Sequence, residues 1–280
     1  MVLRNADGRL TLDAAHGGAI RDFSWRGLAV LRPAAAGTGS DPFATACFPL
    51  VPYANRIAHG RFAFAGRSVQ LRRNWDRDPH PLHGQGWRCA WSIGNATATR
   101  AVLTYDGGGD DWPWRYRAEQ GFALLEDGLE VRLSIENRSG SAMPGMLGLH
   151  PYFPAAGVAS VAARTRTLWL TDAEALPVEA VPTPPEYSFD APRPPTAVAL
   201  DHCFDDWDGV ASVRWPDRAL TVTATGCRSL HVYAPAGGDF FCLEPQTAAA
   251  GALNRGSGEV ARLAPGERLE MRVRFSLEAA

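Results

Sequence analysis

Residues 129–136 read Leu129-Glu130-Val131-Arg132-Leu133-Ser134-Ile135-Glu136. Residues 268–277 repeat the pattern as Arg268-Leu269-Glu270-Met271-Arg272-Val273-Arg274-Phe275-Ser276-Leu277. Apolar and polar side chains alternate strictly in both. A helix would group its apolar residues three and four apart, whereas successive side chains of a strand point to opposite faces. Each stretch is therefore a half-buried strand with one face in a core and one face wet. Shorter strand candidates lie at 9–13, 18–24, 28–32, 61–65, 68–72, 89–94, 99–105, 115–125, 166–171, 211–215, 219–225, 229–234 and 239–243. Gly, Pro, Asn and Asp separate them at the spacing of sandwiches and barrels. No long segment carries a 3.6-residue period. The pattern predicts an all-β fold, a large antiparallel β-sandwich of two sheets, with residues 1–280 as one domain. Residues 173–199 contain Pro177, Pro182, Pro184, Pro185, Pro192, Pro194 and Pro195. Such a segment is neither helix nor central strand, and is expected to cross the surface as an ordered excursion.

Composition narrows the function. Apolar residues make up 46% and charged residues 21%, as in ordinary globular domains. The net charge of −2 carries no strong attraction to nucleic acid or to an anionic membrane. All 28 basic residues are arginine, which excludes lysine Schiff-base chemistry and a P-loop lysine. The five cysteines, Cys47, Cys89, Cys203, Cys227 and Cys242, form no CxxC pair and are odd in number. They argue against a zinc knuckle or a disulfide framework and are assigned to packing in a reducing compartment. The N-terminal residues lack an apolar signal core, and no run of about 18 apolar residues marks a membrane span. A cytoplasmic protein is expected. Oligomeric state is not written in the sequence.

The chemistry-bearing residues cluster. Gly148-Leu149-His150-Pro151-Tyr152-Phe153-Pro154 holds His150 on an extended backbone, because the residue before a proline is pushed out of the helical region. Glu244, in Phe240-Phe241-Cys242-Leu243-Glu244-Pro245, is held the same way. An imidazole and a carboxylate so fixed make a general acid/base pair if the fold brings them together; otherwise His150 is a packed core histidine and Glu244 a loop cap. Asn55 and Arg56 sit between apolar runs, where a charge must be used or paired. In His80-Pro81-Leu82-His83-Gly84-Gln85-Gly86-Trp87, His83 precedes glycines that let a ligand approach the backbone, and His80 is expected in solvent. No further His or Cys follows at metal-ligand spacing. Gly107-Gly108-Gly109 reads as a hairpin tip, with Trp112 and Trp114 as candidate aromatic lining for a sugar site. In Asp201-His202-Cys203-Phe204, Asp201 is the carboxylate expected to point inward. His16, His59 and His231 are assigned to surface or core packing.

Taken in order, "NRI…GRF" at 55–62, "HPLHGQGW" at 80–87, "LGLHPYFP" at 147–154, "DHCF" at 201–204 and "FFCLEP" at 240–245 resemble the aldose 1-epimerase (galactose mutarotase) family. The motifs span about residues 45–255. The resemblance implies a supersandwich fold and interconversion of the α and β anomers of a sugar, with no metal or other cofactor. It places His150 as general acid and Glu244 as general base, with Arg56, His83 and Asp201 holding sugar hydroxyls and Asn55 beside them. The implied partner is a small sugar, with neither nucleic acid nor membrane. Three rival readings remain: a non-catalytic sugar-binding module; a metal-dependent isomerase ligated by His80, His83, His150 and Glu244; and a mutarotase for a phosphorylated sugar read by Arg72, Arg73, Arg77 or Arg88. After Glu-Pro the chain departs from the family's usual Ser/Thr-His and reads Gln246-Thr247-Ala248.

Overall fold

The computed structural model describes residues 1–35, 41–195 and 199–279. Among them, two large antiparallel sheets of 11 and 8 strands face each other. The two alternating stretches are direct neighbours in the smaller sheet, where Leu129 pairs with Phe275, Val131 with Val273 and Leu133 with Met271. These six apolar side chains are buried. Their alternates form a solvent-side ladder of Glu130 opposite Arg274 and Glu136 opposite Arg268. Arg132 and Arg268 both reach Glu119, at 2.6 and 3.1 Å. Opposite charges across a strand pair stabilise the register modestly.

The larger sheet supplies the other half of the core. Leu149 and Phe153 of the Gly148–Pro154 strand point into the sandwich and are buried. Phe153 stacks on Phe241 at 5.4 Å and meets Phe275 of the opposite sheet at 6.4 Å. This aromatic bridge joins the sheets, and period two then sends His150 and Tyr152 to the far face. The central strands of that sheet run in the order Cys47–Leu50, Gly148–Pro154, Phe240–Gln246, Ser229–Ala234, Leu200–Asp205.

The proline-rich excursion contains a strand, Pro177–Pro182, at the outer end of the larger sheet beside Thr167–Thr171. An edge position is where proline is tolerated, since no ladder hydrogen bond is demanded there. Residues 196–198 of that excursion lie outside the described residues. The candidates at 28–32 and 89–94 shrink or shift to Leu28–Ala29 and Ser92–Ala96.

Candidate active site

Pairing register brings the site together. Tyr152 pairs with Cys242 and Gly148 with Gln246, so His150 and Glu244 stand opposite each other on adjacent strands. His231 pairs with Glu244 on the other side, and Asp201 pairs with Tyr233 one strand further. Four polar side chains from strands far apart in sequence therefore share one sheet face. They line a pocket together with Asn55, Arg56, Leu82, His83 and Tyr233. The cavity between them is small, about 130 Å³, and opens to solvent.

His150 Nε2 lies 3.3 Å from Glu244 Oε1. The imidazole packs against the rings of Phe48, at 4.6 Å, and Tyr152, at 4.7 Å. Gln246 Nε2 donates to the other carboxyl oxygen at 3.4 Å. Both groups are almost wholly buried, and burial favours their neutral forms. It pushes the Glu244 carboxyl up to about 7, with the Asp201 charge adding to the rise and His231, the Gln246 bond and Arg56 opposing it. It pushes the His150 imidazole down to about 3, helped by the charge of His231. A charged His150 is the usual expectation for a histidine beside a carboxylate; here desolvation outweighs that attraction. Through the mildly acidic range, up to about pH 7, the pair holds a single proton, resting on the Glu244 carboxyl.

The opposite wall is built from two loops bonded to each other. Asn55 and His83 both adopt left-handed backbone, φ 62° and 57°. Asn55 N–H donates to His83 Nδ1 at 3.1 Å, and His83 N–H donates to the Asn55 carbonyl at 3.1 Å. With Nδ1 an acceptor, the His83 ring carries its proton on Nε2. Burial and the nearby positive charges hold it well below the ordinary histidine range, so it is a neutral donor. Gly84, at φ 73°, permits this packing: a Cβ there would stand 2.3 Å from the Val51 carbonyl oxygen. Arg56 Nε donates to Asp78 Oδ2 at 2.8 Å, which fixes the guanidinium.

Asp201 Oδ1 accepts from His231 Nε2 at 2.8 Å. Burial raises the Asp201 carboxyl, but the His231 bond and charge outweigh it and hold the group at about 2. All six residues expected at the site, Asn55, Arg56, His83, His150, Asp201 and Glu244, line the one pocket. His231 and Tyr233 also line it, and His231 is not the packing residue expected from sequence. Its strand, 229–234, was legible; what was not legible is which of its faces meets Glu244.

Other expectations change. His80 is buried rather than solvated: its ring meets His59 at 5.0 Å, and its backbone N–H donates to Asp78 Oδ1. It does not line the pocket, so the four-ligand metal set is not assembled. Trp112 is fully buried against Tyr53 and Phe62, and neither it nor Trp114 lines the pocket. Arg72 and Arg73 pair with Asp110 and Asp76, while Arg77 and Arg88 lie over the Trp75 ring at 5.7 and 5.5 Å. None of these four lines the pocket. No helix among the described residues is long and apolar enough to cross a membrane.

Comparison with known proteins bears on the fold and the family. The chain is 33% identical to the Escherichia coli K12 protein YphB, itself uncharacterised, over 93% of each chain. It superposes on the crystal structure of a candidate aldose 1-epimerase from Escherichia coli K12 with a TM-score of 0.93 at 30% identity, covering 100% of this chain and 98% of that one. It shares the fold of galactose 1-epimerase from Lactobacillus acidophilus, with a TM-score of 0.82 at 15% identity over 100% and 94% of the two chains. A sequence profile described as aldose 1-epimerase matches residues 1–276, and the chain belongs to the aldose 1-epimerase family.

Proposed function

We propose that the protein is a mutarotase that interconverts the α and β anomers of a neutral aldose. The observation that carries this reading is the 3.3 Å contact between His150 Nε2 and Glu244 Oε1 in a polar pocket. A module that only binds sugar has no use for a buried carboxyl brought to about 7 beside an imidazole. Perturbed pairs of this kind cluster where protons are transferred.

Anomer exchange needs one proton removed and one supplied at different oxygens. In the proposed forward step Glu244 takes the proton of the C1 hydroxyl and His150 gives a proton to the ring oxygen. The C1–O5 bond breaks and the open-chain aldehyde forms. Rotation about C1–C2 presents the other carbonyl face, and closure returns both protons. The pair's single proton rests on the Glu244 carboxyl and first passes to His150 Nε2 across the 3.3 Å contact. This leaves Glu244 as the carboxylate that takes the C1 proton and His150 as the imidazolium that gives one to the ring oxygen. Each transfer contributes about 10²–10⁴-fold.

Arg56, His83, Asp201 and Asn55 would hold the ring hydroxyls so that C1 faces the pair. The neutral His83 supplies a donor without a charge. Arg56 is the arginine that lines the pocket, and it is already paired with Asp78, which favours a neutral sugar over a phosphorylated one. The test is a panel of freshly dissolved single-anomer sugars, free and phosphorylated, followed by optical rotation with and without chelator. The reading expects faster relaxation with at least one free aldose and no effect of chelator. Unchanged relaxation across the panel, despite measurable sugar binding, would leave a binding protein.

A further inference from the structure

His231 makes more of the pocket than its position on a strand requires. It is buried, it lines the pocket, and both ring nitrogens are engaged. Nε2 donates to Asp201 Oδ1 at 2.8 Å, and Nδ1 lies 3.1 Å from Asn55 Nδ2. Asn55 Oδ1 accepts from the Arg56 N–H at 2.9 Å, which leaves the amide nitrogen to donate to the ring. Asp201 comes from the sheet, and Asn55 from a loop 176 residues away in sequence from His231. One imidazole therefore spans the two walls between which a sugar would lie.

We propose that His231 is a positioning residue of this site, tying Asp201 on one wall to Asn55 on the other and setting the electrostatic surroundings of Glu244. This rests on the reading of Glu244 as the base. The groups around the ring are Asp201, Cys203 and His202 from one neighbouring strand, Glu244 and His150 from the other side, and Asn55, Arg56 and His83 from the loops. Two influences compete at the ring. Burial disfavours its charge, while Glu244, the Asp201 bond and a Cys203 bond favour it and push the imidazole up to about 10. A second proton at Nδ1 requires the Asn55 amide to turn its oxygen toward the ring and release the Arg56 N–H. The charge of His231 and the orientation of Asn55 are thus one variable, and that variable sits beside both the sugar-binding arginine and the base.

Glutamine matches the neutral ring, with an N–H for Asp201 and an oxygen for the Asn55 amide, and cannot take up charge. Phenylalanine fills the space and makes neither bond. His231→Gln is expected to keep KM within about threefold of wild type, and His231→Phe to raise KM and the calorimetric sugar Kd about tenfold through the lost hydrogen bonds. In His231→Gln the pH limb of kcat/KM belonging to Glu244 moves up by about one unit, because a positive charge beside the carboxyl is gone. A merely structural histidine would not move that limb. Wild-type sugar affinity in His231→Phe, an equal loss in both variants, or an unmoved limb in His231→Gln overturns the proposal. The arms separate the two readings. Sugar binding without anomer exchange in wild type sinks the role of Glu244 and with it this proposal's electrostatic half, while calorimetry still reads the clamp. Anomer exchange in wild type together with unaltered affinity in His231→Phe overturns this proposal and leaves the role of Glu244 standing.

Discussion

The charge state of the His150–Glu244 pair leads to a pH profile of definite sign. Burial raises the Glu244 carboxyl to about 7 and lowers the His150 imidazole to about 3. Because the groups lie 3.3 Å apart, they titrate as a unit with two macroscopic steps. Between those steps the pair holds one proton, which is what ring opening consumes and returns. Above the upper step the carboxyl has lost its proton and the imidazole is neutral, so nothing is left to give to the ring oxygen. The value of kcat/KM is therefore predicted to be flat through the mildly acidic range and to fall as pH rises through about 7. Two units above the step the one-proton form is about 100-fold depleted, so kcat/KM at pH 9 is expected about 100-fold below its value at pH 5. Exchange NMR at substrate concentrations far below KM measures this, with the buffer-catalysed rate subtracted at each pH. A rate that rises through neutrality would mean that the free carboxylate alone limits the reaction. A plateau extending toward pH 10 would pass the proton-donating role to His231, the imidazole pushed up to about 10. Either outcome refutes the shared-proton account.

Other perturbations test separate parts of the structure. Asp201→Asn removes the carboxylate that accepts from His231 at 2.8 Å; KM is expected to rise about tenfold with a smaller change in kcat, as steady-state polarimetry would record. Gly84→Ala places a methyl 2.3 Å from the Val51 carbonyl at φ 73°, so urea unfolding should show a loss of about 1–3 kcal/mol, together with weaker sugar binding as the Asn55–His83 wall shifts. Phe153→Ala empties the contact between the sheets, where the ring meets Phe241 and Phe275. It should cost about 3–5 kcal/mol by denaturant unfolding while leaving kcat of the folded protein within about threefold of wild type.

The fold was written in the sequence because a half-buried strand declares itself by parity. Leu129 to Ile135 and Leu269 to Leu277 alternate cleanly, and they turn out to pair with each other. Strands buried on both faces carry no such alternation. Gly148–Pro154 and Phe240–Gln246 at the centre of the larger sheet are of that kind, with nearly every residue buried. The proline-locked His150 and Glu244 stood out locally, but their facing each other depends on register, which is fixed only when Phe153 and Phe241 choose the core side. The same limit hid His231, whose partner strand could not be known. His80 misled because a histidine before proline in a charged loop reads as solvated, whereas Asp78 folds that loop inward through bonds to Arg56 and to the His80 backbone.

Replacing the carboxyl of Glu244 with its isosteric amide isolates the central step. Glu244→Gln removes the base, keeps an oxygen to face His150 and leaves Asn55, Arg56, His83 and Asp201 in place. Exchange NMR on the best aldose should show turnover reduced about 10²–10⁴-fold, with the calorimetric sugar Kd within about threefold of wild type. Anomer exchange within threefold of the wild-type rate in that variant would contradict the account.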